Sequence, residues 1–419
     1  MFTVQPWSWS PNDGVLTCRY ETSSAKFEEI FAFEVEGDAD ELLARAFDLL
    51  AITAGVSYFK TDFSNAICLH VGESEVWSTY VSELYDKGLR EFRFQNGLEL
   101  EWLPTVTFSG ARLNLSQTNR NLAGALLPMG GGRDSLLTAI ALKSITPTLM
   151  TVGDNPIVNL QAKQLGLDVW KVTRTIDPSL FEMNRGGATN GHIPITAINS
   201  CVAIVLALLL GRQDVVMSIE SSASTPTRII NGVDVNHQYS KSWDFEKLMR
   251  EMLSSLEVPI NYFSVLRHLG ELDISQILAR NWELLPPFVS CNRSRTLDRT
   301  SQFAIWCTHC AKCYFVYLAL TPFLSRQVLI DHFGRDLLRE TSDYVAVKQL
   351  LDRTRRDFEC IGTIEEIEFA LNAAARGDWS DVDWVRQLAQ SARSERPNID
   401  SGLSTYAIPS VYLALIGAQ

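Results

Sequence analysis

A chain of 419 residues, 46% of them hydrophobic, has the material for a large core in each of about two or three domains, which excludes a disordered or fibrous protein. Its formal charge of −12 leaves no basic face for a phosphate backbone, so no nucleic-acid partner is expected. No membrane segment or secretory signal is expected either: the longest apolar run, Cys201 to Leu210, falls short of a bilayer span, and Met1 to Trp9 lacks a basic region followed by an apolar one.

Residues 1–116 read as a separate α+β unit. Val15–Glu21, Phe31–Val35, Ala66–Val71 and Leu98–Trp102 are short, β-branched or aromatic and bounded by turn residues, which predicts strands. Asp38–Ala54 and Glu75–Gly88 read as helices, the first with Leu42, Leu43, Ala46, Leu49 and Leu50 on one face. Where that helix ends, Ala54 to Thr61 has two readings: Tyr58 and Lys60 face a ligand, or the segment caps the helix and enters a strand.

From Asn121 strands and helices alternate, the pattern of a parallel sheet with helices on both faces, and this region is taken as 117–324. Ala123–Leu127 predicts a buried strand, and Gly130-Gly131-Gly132-Arg133-Asp134-Ser135 turns it into a helix. Backbone N–H groups without side chains, at the positive end of a helix dipole, favour an anion, phosphate first. The alternative is a turn with Asp134 as helix cap, but three consecutive glycines carry an entropy cost that a cap does not need. No Lys follows the last glycine and the spacing is not that of a dinucleotide loop.

Thr148–Val152, Val169–Thr173, Val215–Ile219 and Ile260–Val265 continue the strands, with helices at Pro156–Leu165, Ile195–Leu210 and Asp244–Leu256. Ligands of such sheets bind beyond the carboxyl ends of the strands, where strand order reverses. The glycine loop, Gly153-Asp154, Asn190-Gly191-His192 and Glu220-Ser221-Ser222 all fall at such ends, and the polar loop Asn236 to Ser242 follows. Residues 325–419 read as mostly helical.

Eight cysteines without an export signal point to a reducing, cytoplasmic setting, where clustered thiols bind metal more often than they pair. Cys307, Cys310 and Cys313 form a CxxCxxC run that Cys291 completes to four ligands, suited to structural zinc. The alternative places the run on the first turns of a helix, its thiols acting as small apolar groups. Cys18, Cys68, Cys201 and Cys360 carry no assignable role.

The glycine loop resembles the SGGxDS loop of the PP-loop ATPases, with Gly130 in place of the leading Ser. Together with the cysteines it is similar to 7-cyano-7-deazaguanine synthase, which activates a carboxylate with ATP. The stretches AGVSYFK (54–60), NGHIP (190–194), SIESSA (218–223), NHQYSKS (236–242), WCTHCAKCYF (306–315) and FECIG (358–362) resemble, over nearly the whole chain, the UDP-N-acetylmuramoyl-L-alanyl-L-glutamate epimerase family. That resemblance implies a PP-loop (adenine nucleotide α-hydrolase-like) α/β fold and use of ATP and Mg²⁺. It further implies adenylation of the substrate's terminal glutamate, inversion of its α-carbon, and release of AMP and diphosphate for peptidoglycan synthesis.

On this reading His192, His237 and Lys241 are the candidates for proton transfer. Gly130, Gly131, Gly132, Arg133, Asp134, Ser135, Gly153, Glu220 and Ser222 would meet nucleotide or magnesium. Tyr58, Lys60, Arg185 and Asn190 would meet the nucleotide-sugar dipeptide. Each catalytic candidate has a plainer role open to it: His192 caps a helix, His237 orders its loop, Lys241 binds a phosphate or carboxylate. A PP-loop ligase or amidase, an epimerase of a natural-product peptide and a nucleotide-binding regulator without turnover are the competing functions. No feature of the sequence bears on oligomeric state.

Overall fold

The computed structural model describes residues 1–111, 120–295, 306–398 and 403–417; the expected boundary at 116 lies outside them. The strands are β1 (Phe2–Ser10), β2 (Val15–Glu21), β3 (Lys26–Ala32), β4 (Ala66–Leu69), β5 (Thr105–Phe108), β6 (Ala125–Pro128), β7 (Thr148–Val152), β8 (Val169–Thr175), β9 (Asp214–Met217), β10 (Arg228–Ile230), β11 (Val233–Val235) and β12 (Asn261–Ser264). Ten of them form one sheet in the order β12-β9-β6-β7-β8-β3-β2-β1-β4-β5. From β12 to β8 all pairs are parallel. β8 then meets β3 antiparallel, from Ile30 opposite Thr175 to Ala32 opposite Thr173. β3, β2 and β1 form an antiparallel meander, and β4 and β5 continue parallel to β1.

The chain is therefore a mixed α/β protein in which one sheet spans both the N-terminal residues and the glycine-loop region. Its parallel part is wound outwards from a central strand. β6 comes first, β7 and β8 are added on one side, and β9 and β12 on the other. The order reverses between β6 and β9, which opens a crevice beyond their carboxyl ends.

Packing explains the elements. Helix Glu41–Ala54 begins where Asp40 accepts a hydrogen bond from the Leu43 N–H at 2.9 Å, and it buries its leucines against the apolar helix Ile195–Leu209. The stretch Glu41–Phe59 is long and apolar enough to cross a bilayer, but 89% of its apolar window is buried inside the fold, the state of a core helix. The C-terminal helices Ala311–Leu320, Arg326–Phe333, Thr341–Leu350 and Ile364–Arg376 pack on a second core with β6 and β7 residues Leu127 and Leu149.

Several strand expectations need correction. β1, β5, β10 and β11 were not anticipated, and the strand expected at Phe31–Val35 runs earlier, over Lys26–Ala32. In β1 Phe2 and Val4 alternate inward, but a register shift between Gln5 and Ser8, around Pro6, breaks the alternation that marks a strand. Leu98–Trp102 alternates and yet is no strand. Its Leu98 N–H donates to the Arg93 carbonyl at 2.9 Å and its Leu100 carbonyl accepts from the Arg93 guanidinium at 2.6 Å, so the backbone is satisfied without a ladder. Ala54 to Thr61 enters no strand either: Val56–Phe59 is a further helical turn.

Candidate active site

The glycine loop follows β6 and ends in helix Arg133–Leu142. Gly131 has φ +73°, a left-handed conformation that side chains resist, and a Cβ on Gly130 would meet no atom within 4 Å. The loop is braced from behind. Its carbonyls accept from Asn155 (Gly130, 3.3 Å), from Gln161 (Gly131, 3.2 Å) and from the Val289 N–H (Gly131, 3.0 Å), while the Ser290 hydroxyl accepts the Arg133 N–H at 3.2 Å. Carbonyls held inward and an open front at Gly130 make a cradle for an anion.

Arg133 does not extend from that cradle. Its guanidinium is fully buried, ion-paired with Glu271 and hydrogen-bonded to Ser275 at 3.0 Å, and it lies over the Phe315 ring. Lys312, also buried, sits 3.5 Å from the other Glu271 oxygen. Burial and Arg133 lower the Lys312 pKa, against the opposing charges of Asp134, Cys360 and Glu220. Asp134 keeps a quarter of its side chain exposed, and the Ser135 hydroxyl donates to the Gly132 carbonyl at 3.3 Å.

At the neighbouring crevice His192, His237 and Lys241 converge with two residues not singled out above, Glu91 and Cys360. His237 Nδ1 lies 2.5 Å from the buried Glu91 carboxylate, the His192 and His237 rings stand 4.2 Å apart, and the Lys241 ammonium donates to Cys360 Sγ at 3.2 Å. Their titration follows from these contacts. Burial opposes charge on His237, but hydrogen bonds to Cys360 and Glu91 prevail and push its pKa up to about 10. Burial and the cations of His237 and Lys241 hold His192 neutral, well below the usual range. Burial would raise the Cys360 thiol, but Lys241 and His237 bring it down to about 6, a thiolate at neutral pH. Lys241 is raised despite burial, by the charges of Cys360, Glu220 and Asp134, which ties this cluster to the glycine loop.

The remaining candidates divide. Lys60 donates to the Asn190 side-chain oxygen, and burial lowers its pKa to about 8. Tyr58 is wholly buried between Tyr20 and Phe27, its hydroxyl accepting the Asp177 N–H at 3.2 Å, so its ring belongs to the core. Arg185 is exposed at the end of helix Pro178–Arg185. Gly153 follows β7 with φ +74° and open space where a Cβ would stand. Ser222 donates to the buried Glu220 carboxylate at 3.1 Å beside a cavity of about 270 Å³ that Thr363 and Glu366 also line.

The four clustered cysteines meet as the spacing predicts. Cys310 is the N-cap of helix Ala311–Leu320, and the Sγ atoms of Cys291, Cys307, Cys310 and Cys313 all lie within 4.8 Å of one another. The separations of 3.9 Å (Cys291–Cys310), 3.7 Å (Cys307–Cys313) and 3.5 Å (Cys310–Cys313) bracket the roughly 3.8 Å edge of a tetrahedron of sulfurs around zinc. The donor set fits that ion.

Residues missed by sequence reasoning hold the site in place. Buried Arg267 donates to the backbone carbonyls of Glu220 (3.2 Å) and Lys241 (2.8 Å) while pairing with Glu246 (2.8 Å). Cys360 is positioned by its neighbours. The Glu359 carboxylate accepts the Lys312 N–H at 3.0 Å, and a Cβ on Gly362 would stand 2.6 Å from both Glu366 and Phe315. The FECIG stretch was visible as a motif; its lone thiol has no spacing partner to mark it.

Two family profiles match the chain, one described as the MurL N-terminal domain over residues 1–265 and one as the MurL C-terminal domain over residues 287–401. A protein from Micromonospora sp. named UDP-N-acetyl-alpha-D-muramoyl-L-alanyl-L-glutamate epimerase is 37% identical over 83% of this chain and 79% of its own length. Proteins of the same name from Xanthomonas oryzae pv. oryzae (33% identical; 88% of this chain, 82% of theirs) and Salinispora tropica (37%; 83% and 77%) are also similar.

Proposed function

The chain belongs to the MurL family, and from that premise we propose that it is an ATP-dependent epimerase of the terminal L-glutamate of UDP-N-acetylmuramoyl-L-alanyl-L-glutamate, serving peptidoglycan synthesis. The observation that carries the reading is that Lys241 feels the charge of Asp134 in the glycine loop while belonging to a cluster that holds a neutral imidazole beside two cations.

The chemistry asks for both halves. A free α-carboxylate resists a second negative charge on the adjacent carbon. ATP enters as a substrate whose α-phosphate takes the carboxylate, so that the carbonyl can accept the developing charge as an enolate. The N–H groups of Gly130 to Gly132 hold the departing phosphates, with Lys312 adding positive charge. Asp134 and Glu220 would hold magnesium, which offsets phosphate charge. Lys60, held by Asn190, and exposed Arg185 receive the carboxylates of the substrate. Neutral His192 is the base for the α-proton, His237 stands on the same side with its ring 4.2 Å away, and the protonated Lys241 supplies acid, since inversion needs a base and an acid in opposite states. Cys291, Cys307, Cys310 and Cys313 would hold a structural zinc, which would fix the N-terminus of helix Ala311–Leu320 and with it Lys312.

The test is incubation with ATP, Mg²⁺ and the muramoyl dipeptide in deuterated water. Deuterium on the glutamate α-carbon, D-glutamate after hydrolysis, and AMP with diphosphate are expected. AMP formed only when an amine is supplied, with a product of changed mass, would instead mark a ligase.

A further inference from the structure

Among the described residues, features outside the mechanism just given include a cleft between Asp48 and His70, the recess beside Ser222, and the Cys360 thiol. Cys360 carries an inference furthest, because the loop holding His237 and Lys241 meets its sulfur and is itself backed by Glu91. Lys241 brings an ammonium to 3.2 Å, and His237 hydrogen-bonds the thiol while its other ring nitrogen faces Glu91 at 2.5 Å. Glu91 is 4% exposed, and its carboxylate orients the ring. A sulfur, an imidazole and an orienting carboxylate in series form the arrangement that activates nucleophiles, here with a second cation added.

A buried structural thiol would have no use for these partners. Cys18 and Cys201 illustrate that case: both are wholly enclosed, and burial drives their thiols upward, away from the thiolate. Cys360, by contrast, is only half-buried as a residue.

We infer that Cys360 attacks the activated carboxyl carbon of the substrate and carries the glutamyl group as a thioester while its α-carbon is inverted. This rests on the ATP-dependent reading above. In the first step the sulfur's electron pair forms the S–C bond, the bond from that carbon to the phosphate oxygen breaks, and AMP leaves with the electron pair. The α-proton then passes to His192 and a proton returns to the opposite face from the protonated Lys241. Finally water attacks the thioester carbonyl and the C–S bond breaks. Sulfur departs as the thiolate that Lys241 and His237 hold, the product leaves as its carboxylate, and both of the water's protons pass to solvent. The sum consumes one ATP and one water and yields AMP and diphosphate.

The thioester has two physical merits. Sulfur donates little into the carbonyl, so the α-hydrogen stays acidic. Departure of AMP also removes an anion from beside the carbon that must become negative.

The full-length protein would be mixed with ATP, Mg²⁺ and dipeptide substrate radiolabelled in its glutamate, and quenched in acid within one turnover. Label bound to the wild-type protein, mapped to the peptide containing Cys360 and released by hydroxylamine, is expected. It should be absent from Cys360→Ser and Cys360→Ala, which epimerise at least about 100-fold more slowly while still exchanging labelled pyrophosphate into ATP. Pyrophosphate exchange by the wild type without protein-bound label, or Cys360→Ala epimerising within about threefold of wild type, overturns the thioester and leaves the ATP reading standing. No pyrophosphate exchange and no AMP from the wild type overturns both. If the variants fail to fold, peptide mapping in the wild type decides alone.

Discussion

Three neighbouring glycines should respond to alanine in three different ways, because the structure places each Cβ in a different environment. At Gly130 the added methyl meets nothing within 4 Å and φ is not left-handed, so stability should hold or rise by about 0.4–1 kcal/mol through the unfolded chain. That methyl stands at the open front of the cradle, so nucleotide affinity should fall. At Gly131 the φ of +73° imposes about 1–2 kcal/mol of left-handed strain on alanine, a factor of about 5–30 in the folding equilibrium. At Gly132 the Cβ would approach Ser290 Oγ to 3.0 Å, and that hydroxyl accepts the Arg133 N–H. A moderate loss is expected there, part of it recovered in the double variant with Ser290→Gly. Urea unfolding of each variant, with and without ATP, separates the two quantities. Wild-type ATP affinity in Gly130→Ala would refute the cradle, since an anion seated against those amides must notice a methyl group.

Substituting Glu271→Gln removes the carboxylate that buried Arg133 and Lys312 share, leaving Arg133 its longer contact with Asp134, and should destabilise the protein by about 3–5 kcal/mol, read as a lower urea midpoint. Protein purified without chelator should contain one zinc per chain by elemental analysis. Cys313→Ser or a strong chelator should remove that zinc and lower the melting temperature, and full metal content in Cys313→Ser would count against the four-thiolate site. Lys60 titrates near 8 in the folded chain and at 10.5 as a free side chain, so binding of the acidic substrate should weaken as pH rises through 8. Over the same window the unfolded chain holds the extra proton, so stability should rise with pH from about 8 to 10.5. Lys60→Met should flatten both profiles.

What was legible in the sequence was whatever local rules write directly. The glycine loop, strands β2 and β7 and helix Pro156–Leu165 follow from residue type and periodicity, and the strand–helix alternation led to a crevice at the carboxyl ends. The CxxCxxC spacing foretold a thiol cluster, since ligands on one turn are close whatever the fold. Long-range pairing was not written there. Cys360 acquires its character from Lys241, 119 residues away, and His237 from Glu91, 146 residues away. Arg133 misled for the same reason: an arginine in a phosphate-like loop suggests an anion outside, but its partner is Glu271 inside. Tyr58 shared a motif with Lys60, yet one helical turn sends the tyrosine into the aromatic core and leaves the lysine beside Asn190.

The brace behind the glycine loop makes the order of synthesis matter. Residues 1–265, the span of the first family domain, contain the loop, both histidines and Lys241 but lack Glu271, Ser275, Val289 and Ser290. A nascent chain of that length would leave Arg133 without Glu271 and Ser275, keeping Asp134 at 3.2 Å as a charge partner, and would leave the Gly131 carbonyl without the Val289 N–H. The boundary between the two family domains is thus no folding boundary. On the proposed function, a ribosome that has finished the first domain has not yet supplied the residues that brace the glycine loop from behind.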